Sequence, residues 1–103
     1  MDLSQYMTIF FEEAREHLQK ISECLLQLEK DPCEGETINE LFRSAHTLKG
    51  MSATMGFTQM AELTHEMESF LQPFRGNQQC LNSNGIDTLL KVADALERML
   101  EEV

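Results

Sequence analysis

The chain of 103 residues has no tryptophan, two prolines, five glycines and three cysteines. So few breakers leave little material for a turn-rich β architecture and lean the chain towards helices. No apolar run approaches the ~20 residues of a membrane span. The start, Met1 to Met7, lacks a basic cluster, and Phe10-Phe11 runs straight into Glu12-Glu13, so no secretory leader is expected. Cations are scarce: eight Lys and Arg against 18 Asp and Glu give a net charge of −10. That balance argues against nucleic acid as a partner, because neutralising phosphates needs clustered Lys and Arg. It argues equally against direct contact with an anionic membrane. Cys24, Cys33 and Cys80 are odd in number and widely spaced, which fits neither a disulfide framework nor a zinc site. Reduced thiols in the cytoplasm are the expectation.

What the chain does have is helical period, in a length that suits one domain with an ordinary core. A first helix is expected over roughly 3–29, where Tyr6, Phe10, Ala14, Leu18, Ile21, Leu25 and Leu28 recur at steps of three and four. Asp2 and Gln5 can cap it, and Pro32 stops it. A second is expected over roughly 35–55, with Thr37 and Glu40 as a capping box and Leu41, Ala45, Leu48, Ser52 and Met55 as the buried stripe. Gly56 supplies a left-handed stop, with Phe57 folding back behind it. A third is expected over roughly 58–75, capped by Thr58, with the stripe Met60, Leu63, Met67, Phe70, Leu71 and Phe74. Pro73 should kink or fray its last turn. A loop over 76–82 leads to a fourth helix over roughly 84–102, capped by Asn84 and Asp87, with the stripe Ile86, Leu89, Leu90, Ala93, Leu96, Leu100 and Val103. The common solution for four such helices with short connections is an all-α, antiparallel up-down four-helix bundle.

Three histidines carry the chemistry that titrates near neutral pH. His17 stands beside a core position of the first helix and reads as a boundary or surface residue. His46 is placed differently. At 100° per residue it lies roughly 140° from the centre of its helix's apolar stripe, so it projects outward. Lys49 follows one turn on, and then Gly50. A mid-helix glycine costs about 1 kcal/mol relative to alanine, and nothing local requires a break there. Gly50 either clears space for something bulky to approach His46 or lets a neighbouring helix pack closely. On the third helix His65 and Glu68 form an i,i+3 pair off the stripe, which can be an ordinary surface contact. His46 lies about ten residues before the turn at Gly56-Phe57-Thr58 and Glu68 about eleven after it. In an antiparallel hairpin those positions stand at one height.

Ala45-His46-Thr47-Leu48-Lys49-Gly50, then Met51-Ser52-Ala53-Thr54-Met55-Gly56-Phe57, then Thr64-His65-Glu66-Met67-Glu68 resemble the histidine phosphotransfer (HPt) domains, most nearly those that open the CheA-type chemotaxis kinases. The likeness runs through essentially the whole chain from Tyr6. It implies that His46 accepts a phosphoryl group and that Glu68 holds Nδ1 of His46. It implies that Lys49 balances phosphoryl charge, that His65 joins the hydrogen-bond network, and that Gly50 gives partners clearance. The donor implied is ATP, with magnesium, on a separate kinase domain of the same protein acting in trans within a dimer. The acceptor implied is an aspartate on a CheY-like or CheB-like receiver. The domain itself has no Gly-rich phosphate loop and should bind no cofactor and catalyse nothing alone. The 103 residues are then expected to be one domain from the N-terminal part of a longer multidomain kinase, with a stand-alone phosphorelay protein as the alternative.

Two other readings compete. Glu13, His17, His65 and Glu68 are ligand types on bundle helices, but di-iron bundles use Glu-x-x-His twice, whereas here the order is reversed and occurs once. A purely structural module with seven adaptable methionines is the other, although most of those methionines fall on or beside the core stripes.

Overall fold

The computed structural model describes residues 2–76 and 79–103. Helix α1 spans Leu3–Lys30, α2 Gly35–Thr54, α3 Thr58–Leu71 and α4 Ser83–Glu101, with a single 3-10 turn at Gln72–Phe74. Short connections force successive helices to reverse, and each packs on its neighbours in a ring: α1 on α2, α2 on α3, α3 on α4, α4 on α1. The result is the all-α, up-down four-helix bundle expected, with extents of 44 × 22 × 19 Å. The long dimension is set by α1, whose 28 residues give a rod of about 42 Å. Among the described residues no helix is long and apolar enough to cross a membrane.

The core is built from the apolar stripes. Ile21, Leu25, Leu28, Leu41, Leu48, Leu71 and Leu96 are wholly buried, each contributing about 1.5–3 kcal/mol. Three stripe residues depart from the expectation; one is Val103, which is exposed because α4 ends at Glu101, short of it. Tyr6 is 52% exposed, because the first turns of α1 overhang the shorter helices and the core begins at Phe10. Phe70 is 40% exposed and leans instead on the start of α4, where a Cβ on Gly85 would stand 3.3 Å from its ring.

The helix ends show which local signals count. Asp2 and Gln5 form the expected capping box on α1. The stop after α2 is also as read: Gly56 has φ 79°, its N–H donates to Ala53 O and that of Phe57 to Ser52 O. Three caps differ. Glu40 pairs with Lys20 of α1 at 3.0 Å rather than closing a box with Thr37, whose hydroxyl donates to Glu34. Thr58 is already helical, because Phe57, pinned back by that stop, takes the cap position. Asn82, not Asn84, caps α4 by accepting from Gly85 N at 2.7 Å. Pro73 ends α3 at Leu71, four residues short of the expected end, and sits in the 3-10 turn. The loop expected over 76–82 includes Asn77 and Gln78, which lie outside the described residues.

The cysteines require a larger correction. Cys33 and Cys80 form a disulfide, leaving only Cys24 as a free, buried thiol among the described residues. Spacing along the chain could not show this. In an up-down bundle the α1–α2 turn and the α3–α4 connection emerge at the same end, so residues 47 apart in sequence become neighbours. Beside the bridge, Leu81 N donates to Pro32 O at 3.2 Å.

Candidate functional site

The tight turn between α2 and α3 makes these helices an antiparallel pair, and the pairing brings His46 and Glu68 together as their equal distances from the turn require. Nδ1 of His46 is hydrogen-bonded to Oε2 of Glu68. Lys49, one turn along α2, donates from Nζ to Oε1 of the same carboxylate at 2.8 Å. Glu68 is the inner member of the triad, with a side chain 12% exposed, against 28% for Lys49 and 63% for His46. Burial pushes the Glu68 carboxyl up. The hydrogen bonds from Lys49 and His46, and their charge, outweigh it and hold the group below its ordinary value. An ionised carboxylate only accepts, so Nδ1 of His46 is the donor of this bond, and in the neutral ring the free lone pair is on Nε2. The imidazole therefore presents its nucleophilic nitrogen to solvent while its other nitrogen is fixed from below.

Gly50 stands on the same exposed surface. A Cβ built there meets nothing within 4 Å. Close packing of a neighbouring helix is therefore not the reason for a glycine at this position. His65 behaves differently from the expectation. It is exposed and makes no hydrogen bond or ion pair among the described residues, lining instead a shallow depression with Lys49, Gly50 and Glu62. The reason is helical phase: Thr64 is fully buried and bonded back to Met60 O, so His65 lies about 100° round the helix from Thr64 and about 60° beyond Glu68, away from the seam.

Two neighbours of His46 were not singled out by sequence. Phe42, one turn earlier on α2, lies parallel to the imidazole with centroids 6.4 Å apart. Arg75, just beyond the 3-10 turn, places its guanidinium carbon 3.9 Å from the Phe42 ring centroid. Phe42 could have been found as the i−4 partner of His46. Arg75 carried no such signal. Glu13, His17, His65 and Glu68 do not converge: no group of three or more His, Cys, Asp or Glu suited to a metal ion occurs among the described residues.

An exposed imidazole with one nitrogen held by a largely buried carboxylate, in an open depression on the flank of a four-helix bundle, is the arrangement of a phosphotransfer module. The family model for the Hpt domain matches residues 5–103, and the chain belongs to that family. It is 46% identical over 103 residues to chemotaxis protein CheA of Bacillus subtilis (strain 168), covering 100% of this chain and 15% of that protein. The CheA phosphotransferase domain from Thermotoga maritima superposes with a TM-score of 0.90 at 39% identity, covering 99% of this chain and 97% of that one. The phosphorylated P1 domain of CheA3 in complex with CheY6 from R. sphaeroides gives a TM-score of 0.90 at 24% identity, over 97% of this chain and 78% of that one, a likeness of fold.

Proposed function

We propose that His46 is the phosphoacceptor of this phosphotransfer domain and that the domain serves a CheA-like chemotaxis kinase. The observation that carries the reading is the bond from Nδ1 of His46 to Glu68, which leaves Nε2 as the ring nitrogen of an exposed side chain that the domain itself does not engage. In the loading step Nε2 attacks the γ-phosphorus of ATP held, with magnesium, by a separate kinase domain. The Nε2–P bond forms, the bond to the bridging oxygen breaks, and ADP leaves with that electron pair. The proton on Nδ1 stays in its hydrogen bond to Glu68, whose charge offsets that of the phosphorylated ring. In the unloading step a receiver aspartate attacks phosphorus and the electron pair returns to Nε2. Lys49 stands one turn away to balance phosphoryl charge, and Gly50 leaves room for either partner.

The partners proposed are the kinase domain of the same protein, acting in trans within a dimer, and CheY-like or CheB-like receivers. The chain spans 15% of the B. subtilis CheA it matches, which supports a domain of a longer cytoplasmic kinase over a stand-alone phosphorelay protein. The fold is able to present itself to a receiver, since the R. sphaeroides domain of the same fold was solved in complex with CheY6. The test is labelling with radioactive ATP and the cognate kinase domain. An acid-labile, base-stable label that disappears in His46→Gln is expected. A label persisting in that variant overturns the assignment.

A further inference from the structure

The cations of this acidic chain are unevenly placed. Arg43 and Arg75 line the same open depression as Phe42, His46 and Glu68. Lys49 is ion-paired with Glu68 on the other side of the imidazole. Among the described residues neither Arg43 nor Arg75 has a carboxylate partner, although Asp and Glu number 18 against eight Lys and Arg. Arg15, Lys30 and Lys91 are likewise without an ion pair among the described residues; what sets Arg75 apart is that its guanidinium lies 3.9 Å from the centroid of Phe42, the ring stacked on His46.

The N–H of Arg75 closes the 3-10 turn on Gln72 O at 3.2 Å, which places the residue at the end of α3 beside the depression. Its fork of donors suits phosphate oxygens better than the point charge of a lysine.

We infer that Arg75 is a phosphoryl-binding residue: its guanidinium rests on Phe42 in the free domain and moves onto the phosphoryl oxygens once Nε2 of His46 carries them. Lys49 and Arg75 then approach the group from α2 and from the end of α3, a two-sided clamp in which Lys49 is already shared with Glu68 and Arg75 is uncommitted. This inference rests on His46 as the phosphoacceptor.

The test needs no partner protein. The chain is phosphorylated with phosphoramidate, whose phosphorus is attacked by His46 with ammonia leaving, and the phosphoryl signal is titrated by phosphorus NMR. Contact with a cation favours the dianion, so the titration midpoint should rise by at least ~0.3 unit in Arg75→Gln and recover in part in Arg75→Lys. The difference should shrink at about 1 M salt. A residue that merely covers Phe42 would alter thermal stability and leave the titration unmoved. Identical midpoints in phosphorylated wild type, Arg75→Gln and Arg75→Lys overturn the inference alone. A phosphoryl signal that survives in His46→Gln overturns the phosphoacceptor assignment and this inference with it.

Discussion

Glu68 grips His46 from across a helix seam, twenty-two positions away in sequence, and does so with a carboxylate already bonded to Lys49. One acidic residue thereby fixes both the tautomer of the nucleophile and the position of the nearest cation. Truncating it as Glu68→Ala removes a charge-assisted hydrogen bond of about 1.5 kcal/mol, taken at the low end because His46 is 63% exposed. That corresponds to about a tenfold slower phosphorylation. Stability should change by less than about 1 kcal/mol, because Lys49 can turn to water. Rates of label incorporation and a thermal melt on one sample separate the two.

The same triad gives a pH dependence with a definite sign. The folded-state carboxyl of Glu68 lies below its ordinary value of 4.5. Its stabilising contribution is therefore fully present above the unfolded-state value and is lost as pH falls through the lower folded-state value. The stability advantage of wild type over Glu68→Gln should accordingly shrink below about pH 4.5. Urea denaturation at a series of pH values checks this, and carbon NMR of the Glu68 carboxyl should place its midpoint below that ordinary value.

Gly50→Ala separates folding from partner access. The added methyl meets nothing in the chain, and alanine is about 1 kcal/mol better in a helix interior. The variant should be more stable than wild type by up to that amount. Phosphorylation by a small donor should be unchanged, while transfer to and from a protein partner slows. Equal slowing with both donors would place the effect within the domain instead of at the partner contact.

Much of this site was legible in the sequence because helical phase and distance from a turn are local arithmetic. Residue spacing alone puts His46 off its stripe, and His46 and Glu68 at one height. What escaped depends on where separate segments end up. The Cys33–Cys80 bridge joins two connections at one end of the bundle, and Arg75 meets Phe42 only because Pro73 ends α3 in a 3-10 turn. His65 escaped for a subtler reason. Sequence set it beside Glu68 at i,i+3, but the buried Thr64 fixes the rotation of α3 and turns His65 towards Gly50. The caps were misread wherever a tertiary partner competed, as Lys20 does for Glu40.

Ser52 offers a test of the core. Its hydroxyl is fully buried and has no hydrogen-bond partner among the described residues. A buried donor left unsatisfied costs about 1–3 kcal/mol, and exchanging it for a methyl group removes that penalty. Ser52→Ala should therefore be stabilising by roughly 1 kcal/mol, seen as a higher urea midpoint with an unchanged slope. A loss of stability would show that the hydroxyl is satisfied in solution.

The three cysteines should behave as two kinds. Cys33 and Cys80 are exposed and bridged, so a reductant reaches them in the folded protein. Cys24 is 5% exposed, and burial, helped by the charge of Glu40, pushes its thiol up to about 11. Iodoacetamide applied to reduced, folded protein should add two groups, at Cys33 and Cys80, and the third only after denaturation. Opening the bridge releases a closed loop spanning 47 residues of separation, at a cost of about 2–4 kcal/mol. Such a bridge stays open in a reducing cytoplasm. The fold should survive that state, because Leu81 remains 2% exposed and its backbone bond to Pro32 needs no sulfur. Thermal melts with and without reductant should show one cooperative transition each, the reduced one at lower temperature. Equal midpoints would mean that the two sulfurs are not joined in solution.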